Sequence, residues 1–344
     1  MSSHFNISSI QDSKVIYKPK LLLKQKSNIK NIKYNEQKIL SKIHSNKLFI
    51  VSPHHFNIDL ESLKTNKFMT ITDNIDNVRK NVFEEHNLLY KTLLKHNFNI
   101  SYFENTNPDT PDAMFCNNWL SIHHPYETGA ENAFGIIYSM AVPNRRKEIR
   151  EDVLLHIQKM YGDKFIYKDL RKNLIFENKY LEGTGSIVFD RYNKIMFVSI
   201  SKRSYYWVAK VLSKHLNYKF VPFVSKYNYE DIYHTNVMMA IGKTWAVVCL
   251  EAIHNDIERI DVVNNLTSSG KKIIEITISQ MINFCGNIIE LINEEGIYYT
   301  VMSSKAYYSF EPKQRTLLGN IIHVPFNTIE TYGGGGVRCC ICEI

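Results

Sequence analysis

The 344-residue sequence predicts an α/β fold, a closed array of repeated strand-strand-helix-strand units in one large domain. Two observations predict it. The first is rhythm: strand, turn, strand, a helix of 3.6 periodicity and a closing strand return at intervals of roughly 50 to 70 residues, which is not the alternation of a doubly wound sheet. The second is the ending TYGGGGVRCCICEI, which holds four of 14 glycines and three of six cysteines. Termini usually fray, but in an array that closes on itself the last strand is core.

Residues 1–45 are rich in Lys, Asn, Ser and Ile, with no Gly and only Pro19. They are expected as a polar extension carrying at most one helix, at 36–43, ahead of a catalytic domain over 46–344. KLFIVSP and FMTIT read as the first strands, NVRKNVFEEHNLLYKTLLKHNF as the helix and ISYFEN as the closing strand. The pattern returns in AMFCNNWLSIHH, FGIIYSMAV and RRKEIREDVLLHIQKMYG. It returns again in GSIVFDRYNKIMFVSI, YYWVAKVLSKHL and KFVPFV. HTNVMMAIGKTWAVVCL is a hairpin joined through Gly242-Lys243, followed by SSGKKIIEI. ISQMINFC is a helix, and GNIIELIN, IYYTVMS, QRTLLGN and IIHVPF lead to the terminal strand.

Composition narrows the function classes. The chain is 44% hydrophobic and 22% charged, ordinary globular material, with 42 basic against 34 acidic residues. Its lysines are scattered among Asn and Ile instead of lying in Arg-rich stripes, which argues against a nucleic-acid partner. No apolar run reaches the length of a membrane span, and MSSHFNISSIQDSKV lacks a signal-peptide layout, so a cytoplasmic protein is expected. Cysteines 116, 249, 285, 339, 340 and 342 lack paired spacing and are expected as reduced thiols. Cys340-x-Cys342 is poor zinc spacing, and the pairs His54-His55 and His123-His124 read as surface or strand-edge residues. Neither a metal nor a cofactor is expected.

Four segments carry chemistry. If VRCCICEI is extended, Cys339 faces away from Arg338 and Cys340. The glycines before it let a ligand approach the backbone and allow positive φ, a suitable mount for a nucleophile. Cys340 and Cys342 read as small core residues. A thiol nucleophile needs a proton carrier, and IYHTNVMMAIG sets His234 at the mouth of an apolar strand with Asn236 on the same face. YLEGTGS puts Glu182 at the head of another. In NPDTPDAMFCNNW, Asp112 and Asn118 share a face if that strand is unbroken.

In order, TPDAMFCNNW, PNRRKE, LEGTGS, SKR, YHTN and GGGGVRCC resemble the guanidine-modifying (amidinotransferase-like, pentein) superfamily. The resemblance is nearest to the branch of citrulline-utilisation hydrolases and dimethylarginine dimethylaminohydrolase, and it covers residue 46 to the end. It implies a five-bladed α/β propeller of ββαβ repeats around a central channel. It makes Cys339 the covalent nucleophile, His234 the general acid and base, and Glu182 the residue that holds the substrate's planar nitrogen group beside His234. Asp112 would lie in a substrate-binding strand, and Arg145 and Arg203 would clamp the carboxylate of an α-amino acid through parallel hydrogen bonds.

The sequence departs from the guanidinium pattern at Asn118 and Asn236, where such enzymes carry carboxylates. Burying a guanidinium without compensating charge is costly, while an amide offers both a donor and an acceptor and suits a neutral ureido group. The preferred expectation is therefore citrulline hydrolysis to ornithine through a covalent Cys339 adduct. An arginine deiminase or dimethylarginine hydrolase is the close rival, since Asp112 and Glu182 can hold positive charge; an amidinotransferase follows. A non-enzymatic ribosome-binding pentein would have no need of Cys339, His234 and Glu182 together. The expected partner is a small amino-acid substrate, with no nucleic acid or membrane, and a homo-oligomer is left open.

Overall fold

The computed structural model describes residues 3–4, 46–72, 74–175 and 177–344. The helix expected at 36–43 lies outside them. Five small sheets share one topology. In each, a middle strand pairs antiparallel on one side and parallel on the other. The middle strands are Phe134–Ile137, Ile195–Ser199, Trp245–Val248, Tyr298–Ser303 and Lys47–Val51. Their antiparallel partners are Leu120–His123, Val188–Asp190, Met239–Ile241, Ile289–Ile292 and Cys342–Glu343. Parallel pairing forces a crossover, and helices supply it, among them Ile75–Lys95, Glu151–Tyr161, Tyr206–Leu216 and Asp256–Ser268.

Strand alternation decides how the units pack. On Ile195–Ser199, Ile195 and Phe197 join one apolar core while Met196 and Val198 join another. On Lys47–Val51, Leu48 and Ile50 face one core and Phe49 and Val51 the next. These middle strands are thus apolar on both faces, and each core takes side chains from more than one unit. The chain's last strand belongs to the unit of its first long strand, Cys342 opposite Phe49 and Glu343 opposite Leu48.

The structure corrects several expectations. FMTIT forms no strand. AMFCNNW is not extended: Cys116–Asn118 is a 3₁₀ turn, and the strand starts at Leu120. Val337–Cys340 is also a 3₁₀ turn, leaving only Cys342–Glu343 extended, so the alternation assumed for VRCCICEI does not hold. That strand is an edge, paired on one side, and the five sheets do not join into one closed sheet. Asp256–Ser268 is a helix the periodicity did not reveal, because Ile257 and Ile260 spend apolar side chains on its exposed face. His123 is fully buried, bonded to Ser121 at 2.7 Å and beside Glu127. Among the described residues no helix is long and apolar enough to cross a membrane, and no group of His, Cys, Asp and Glu is arranged to hold a metal ion.

Candidate active site

Short turns at the heads of the antiparallel strands bring the chemistry together. Ser62, Asn66, Asp112, Phe115, Asn118, Arg145, Arg203, Tyr233, His234, Gly333 to Gly335 and Cys339 line one cleft of about 310 Å³, partly open to solvent. Six of the eight residues singled out in the sequence are on that wall. Glu182 and Asn236 stand directly behind it.

Glu182 is completely buried. Its Oε1 accepts from the Ala141 amide at 2.8 Å, and its Oε2 accepts from His234 Nε2 at 2.7 Å and lies 3.6 Å from Arg203 Nη1. Burial alone would raise its pKa, but Arg203 and His234 outweigh that and pull the carboxyl down to about 2. The His234 pKa is lowered as well, because burial disfavours the imidazolium more than Glu182 favours it. The resting pair is therefore a carboxylate and a neutral imidazole. With Nε2 committed to Glu182, Nδ1 is the ring nitrogen left to accept a proton. Glu182 accordingly orients His234 from behind.

Cys339 is 8% exposed, at the end of the glycine run. Gly334 has φ +65°, and an added Cβ would lie 2.5 Å from Asn66 Nδ2, so this position requires glycine. Asn66 and the Tyr233 hydroxyl both donate to the Gly334 carbonyl, at 3.2 and 3.3 Å. Burial raises the Cys339 pKa, with Asn287 working against it, so the resting sulfur is a thiol. Asn236 Nδ2 stands 3.7 Å from Cys339 Sγ, which makes Asn236 a neighbour of that sulfur and not part of the cleft wall. Asn287, which motif reading missed, is closer, at 3.3 Å.

At the other end of the cleft, Asp112 Oδ2 accepts from Ser62 at 2.7 Å, while its Oδ1 is buried without a hydrogen-bond partner among the described residues. Burial lifts its pKa to about 6 against the opposing charge of Arg145. Arg145 is nearly enclosed. Nε and Nη2 bond both oxygens of Glu148 at 2.8 and 2.9 Å, Nη2 also reaches the Phe115 carbonyl at 3.0 Å, and Nη1 donates to Asn118 Oδ1 at 2.9 Å. Glu148, three residues on in PNRRKE, occupies the fork expected to grip a substrate carboxylate, so Arg145 holds Asn118 instead. Arg203 stacks over the Tyr233 ring at 4.8 Å and bonds Thr65, and its Nε is buried without a partner among the described residues. Asn118 Nδ2 is likewise unpartnered.

The chain matches, over residues 52–344, the family described as N,N dimethylarginine dimethylhydrolase, eukaryotic. Against curated protein sequences it finds no significant match. Among solved structures it is similar to apo ArgZ, an arginine dihydrolase from the ornithine-ammonia cycle in cyanobacteria, with TM-score 0.65 and 15% identity. That match covers 86% of this chain but only 40% of ArgZ, so the chain spans about two fifths of that protein. The N-terminal domain of ArgZ covalently bound to a reaction intermediate gives TM-score 0.63 at 15% identity, covering 86% of this chain and 97% of that one. A dimethylarginine dimethylaminohydrolase adduct with 4-chloro-2-hydroxymethylpyridine gives 0.59 at 15% identity, covering 87% and 100%. These likenesses match the small-sheet α/β architecture, and the sequence match over most of the chain fixes its kinship: it belongs to the eukaryotic N,N-dimethylarginine dimethylhydrolase family.

Proposed function

We propose that the chain hydrolyses the ureido or guanidino group of an arginine-like amino acid through a covalent adduct on Cys339, with citrulline to ornithine as the preferred reaction. In this reading the five units, packed in cyclic order, are the blades of a five-bladed ring, and the cleft lies at one end of its central channel. Asn118 carries the choice of substrate. Its Oδ1 is committed as acceptor to Arg145, which leaves Nδ2 as an unpartnered donor on a residue of the cleft wall. A guanidinium is donor-only and would face that N–H with another, whereas a ureido oxygen accepts it. Arg203 Nε and Asp112 Oδ1 are the matching donor and acceptor for the carboxylate and ammonium of an α-amino acid.

Neutral His234 takes the Cys339 proton, and Glu182 stabilises the resulting imidazolium. The thiolate adds to the ureido carbon. As the tetrahedral adduct collapses, the bond to the substrate's side-chain nitrogen breaks, His234 delivers its proton to that nitrogen, and ornithine leaves. Cys339 keeps a carbamoyl group. His234 then takes a proton from water, hydroxide adds to the carbamoyl carbon, and the carbon-sulfur bond breaks, releasing carbamate, which falls to carbon dioxide and ammonia. The carboxylates of Asp112 and Glu182, with the family match, favour a second reading in which a guanidinium enters and an amine leaves to give citrulline.

Incubating the protein separately with citrulline, arginine and dimethylarginine, while assaying ornithine, citrulline, ammonia and methylamines, separates the two. Ornithine from citrulline supports the first reading. Turnover of arginine or dimethylarginine without citrulline turnover rejects it in favour of the second.

A further inference from the structure

We propose that Asn287 is a further active-site residue, an amide that stabilises the Cys339 thiolate and ties it to the loop carrying His234. The inference rests on Cys339 being the nucleophile of the proposed reaction, but not on which substrate is used.

Three features carry it. Asn287 Nδ2 lies 3.3 Å from Cys339 Sγ, and the same nitrogen donates to the Asn236 carbonyl at 3.0 Å, so one amide group touches both the nucleophile and the residue two beyond His234. Asn287 Oδ1 stands 3.5 Å from the sulfur. The thiol can therefore donate to Oδ1 and the thiolate accept from Nδ2 without any rotation of the side chain. Finally, the backbone is shaped to hold the amide there. Phe284 takes φ +64°, Asn287 N closes the turn on the Phe284 carbonyl at 2.9 Å, and a Cβ on Gly286 would lie 2.3 Å from the Val237 carbonyl oxygen. From the nucleophile's side, a Cβ on Gly336 would come 2.7 Å from Asn287 Oδ1. Two glycines leave the space that Asn287 fills, and a bulky residue accepts a left-handed backbone to complete the turn.

Charged and titratable groups also face the sulfur or share its cleft: Arg338 on its own turn, Tyr233 and His234 on one side, Asp112, Arg145 and Arg203 on another. Burial pushes the thiol up, and the Asn287 hydrogen bond is the largest influence in the opposite direction. A neutral donor in this position assists thiolate formation without adding a charge that would have to be shed when the adduct forms.

The test measures the rate of Cys339 alkylation by iodoacetamide against pH, located by peptide mass spectrometry, in the unsubstituted protein and in Asn287→Ala and Asn287→Asp. The alkylation midpoint is expected to rise by about one to two units in Asn287→Ala, and at least as far in Asn287→Asp, where an acceptor and a negative charge replace the donor. The kcat near neutral pH is expected to fall about 10- to 100-fold with KM changed less than about threefold. Should Asn287→Ala fail to fold, the isosteric Asn287→Asp decides. A midpoint unmoved in the folded variants overturns the proposal while leaving Cys339 as nucleophile. Alkylation of the unsubstituted protein at Cys340 or Cys342 in place of Cys339 overturns both this proposal and the functional reading.

Discussion

Asp112 is pulled two ways. Its carboxylate is needed ionised to meet a substrate cation, yet burial raises its pKa to about 6 from 3.8. A folded pKa above the unfolded one means that ionisation destabilises the fold: stability from this group is greatest at acid pH and falls as pH rises through 6. We therefore expect Asp112→Asn to lose most activity and yet to gain of the order of 2–3 kcal/mol at pH 8, a difference that shrinks as pH falls below the folded value and closes below the unfolded value of 3.8, at about pH 3. Thermal unfolding at the two pH values checks this. In the active protein, kcat/KM should show an acid limb near pH 6 that Asp112→Asn lacks. Glu182 has the opposite sign. Its carboxyl, held at about 2, contributes stability that is present above pH 4.5 and lost as pH falls through 2. Replacing it by Gln leaves Arg203 and His234 without their shared partner. An expected loss of about 3–5 kcal/mol in urea unfolding and at least about 1,000-fold in kcat follows.

At the scale of elements, the turns before the antiparallel strands matter more than the strands. Gly183–Ser186 is held by Thr184 Oγ1 on the Asn117 carbonyl at 3.0 Å and by Thr235 Oγ1 on the Ser186 carbonyl at 2.6 Å. One tight turn thus spaces the Asn118 and His234 segments. A Cβ on Gly185 would meet Asn118 Nδ2 at 2.1 Å and His234 Nδ1 at 2.7 Å. Both are ends of side chains, so the fold can accommodate Gly185→Ala by shifting them, and the shift displaces the reactive ring nitrogen. The expected outcome is a kcat reduced about 100-fold or more with little change in melting temperature. An unaltered kcat would show that His234 Nδ1 does not carry the proton. The LEGTGS motif pointed to this turn, but only the packing of three segments explains why alanine cannot replace its second glycine.

For the whole molecule, packing between units draws on a few residues at the end of the sequence. Cys342 and Ile344 are buried, Glu343 pairs opposite Leu48, and the Ile344 amide donates to the Lys47 carbonyl at 2.9 Å. Cys342 Sγ also reaches the Leu120 carbonyl at 3.6 Å, so the strand ties the unit of Lys47–Val51 to that of Phe134–Ile137. Removing residues 342–344 uncovers an edge of Lys47–Val51 and the wall below Cys339. We expect a loss of about 3–5 kcal/mol in urea unfolding and inactivity even where folded protein survives. A truncated chain with undiminished stability would mean that the packing between units does not rely on this strand.

Periodicity by itself determined the repeated unit and most strands and helices, because alternation and 3.6-residue spacing are local properties of an apolar face. The ordered motifs singled out six of the side chains that line the cleft. Other features were decided only in three dimensions. Asn287 and Glu148 carry no signal of their own in the sequence; each acquires its role from one partner, Cys339 or Arg145, that folding brings within 3.3 Å or less. The turns at Cys116–Asn118 and Val337–Cys340 read as strands because the apolar residues flanking them alternate, whereas the backbone must bend there to aim Asn118 and Cys339 into the cleft. Ionisation, too, belongs to the tertiary structure. Asp112 and Glu182 are both acidic residues in the sequence, and it is the balance of burial against nearby cations, lost by the cations at Asp112 and won by Arg203 and His234 at Glu182, that raises one and depresses the other.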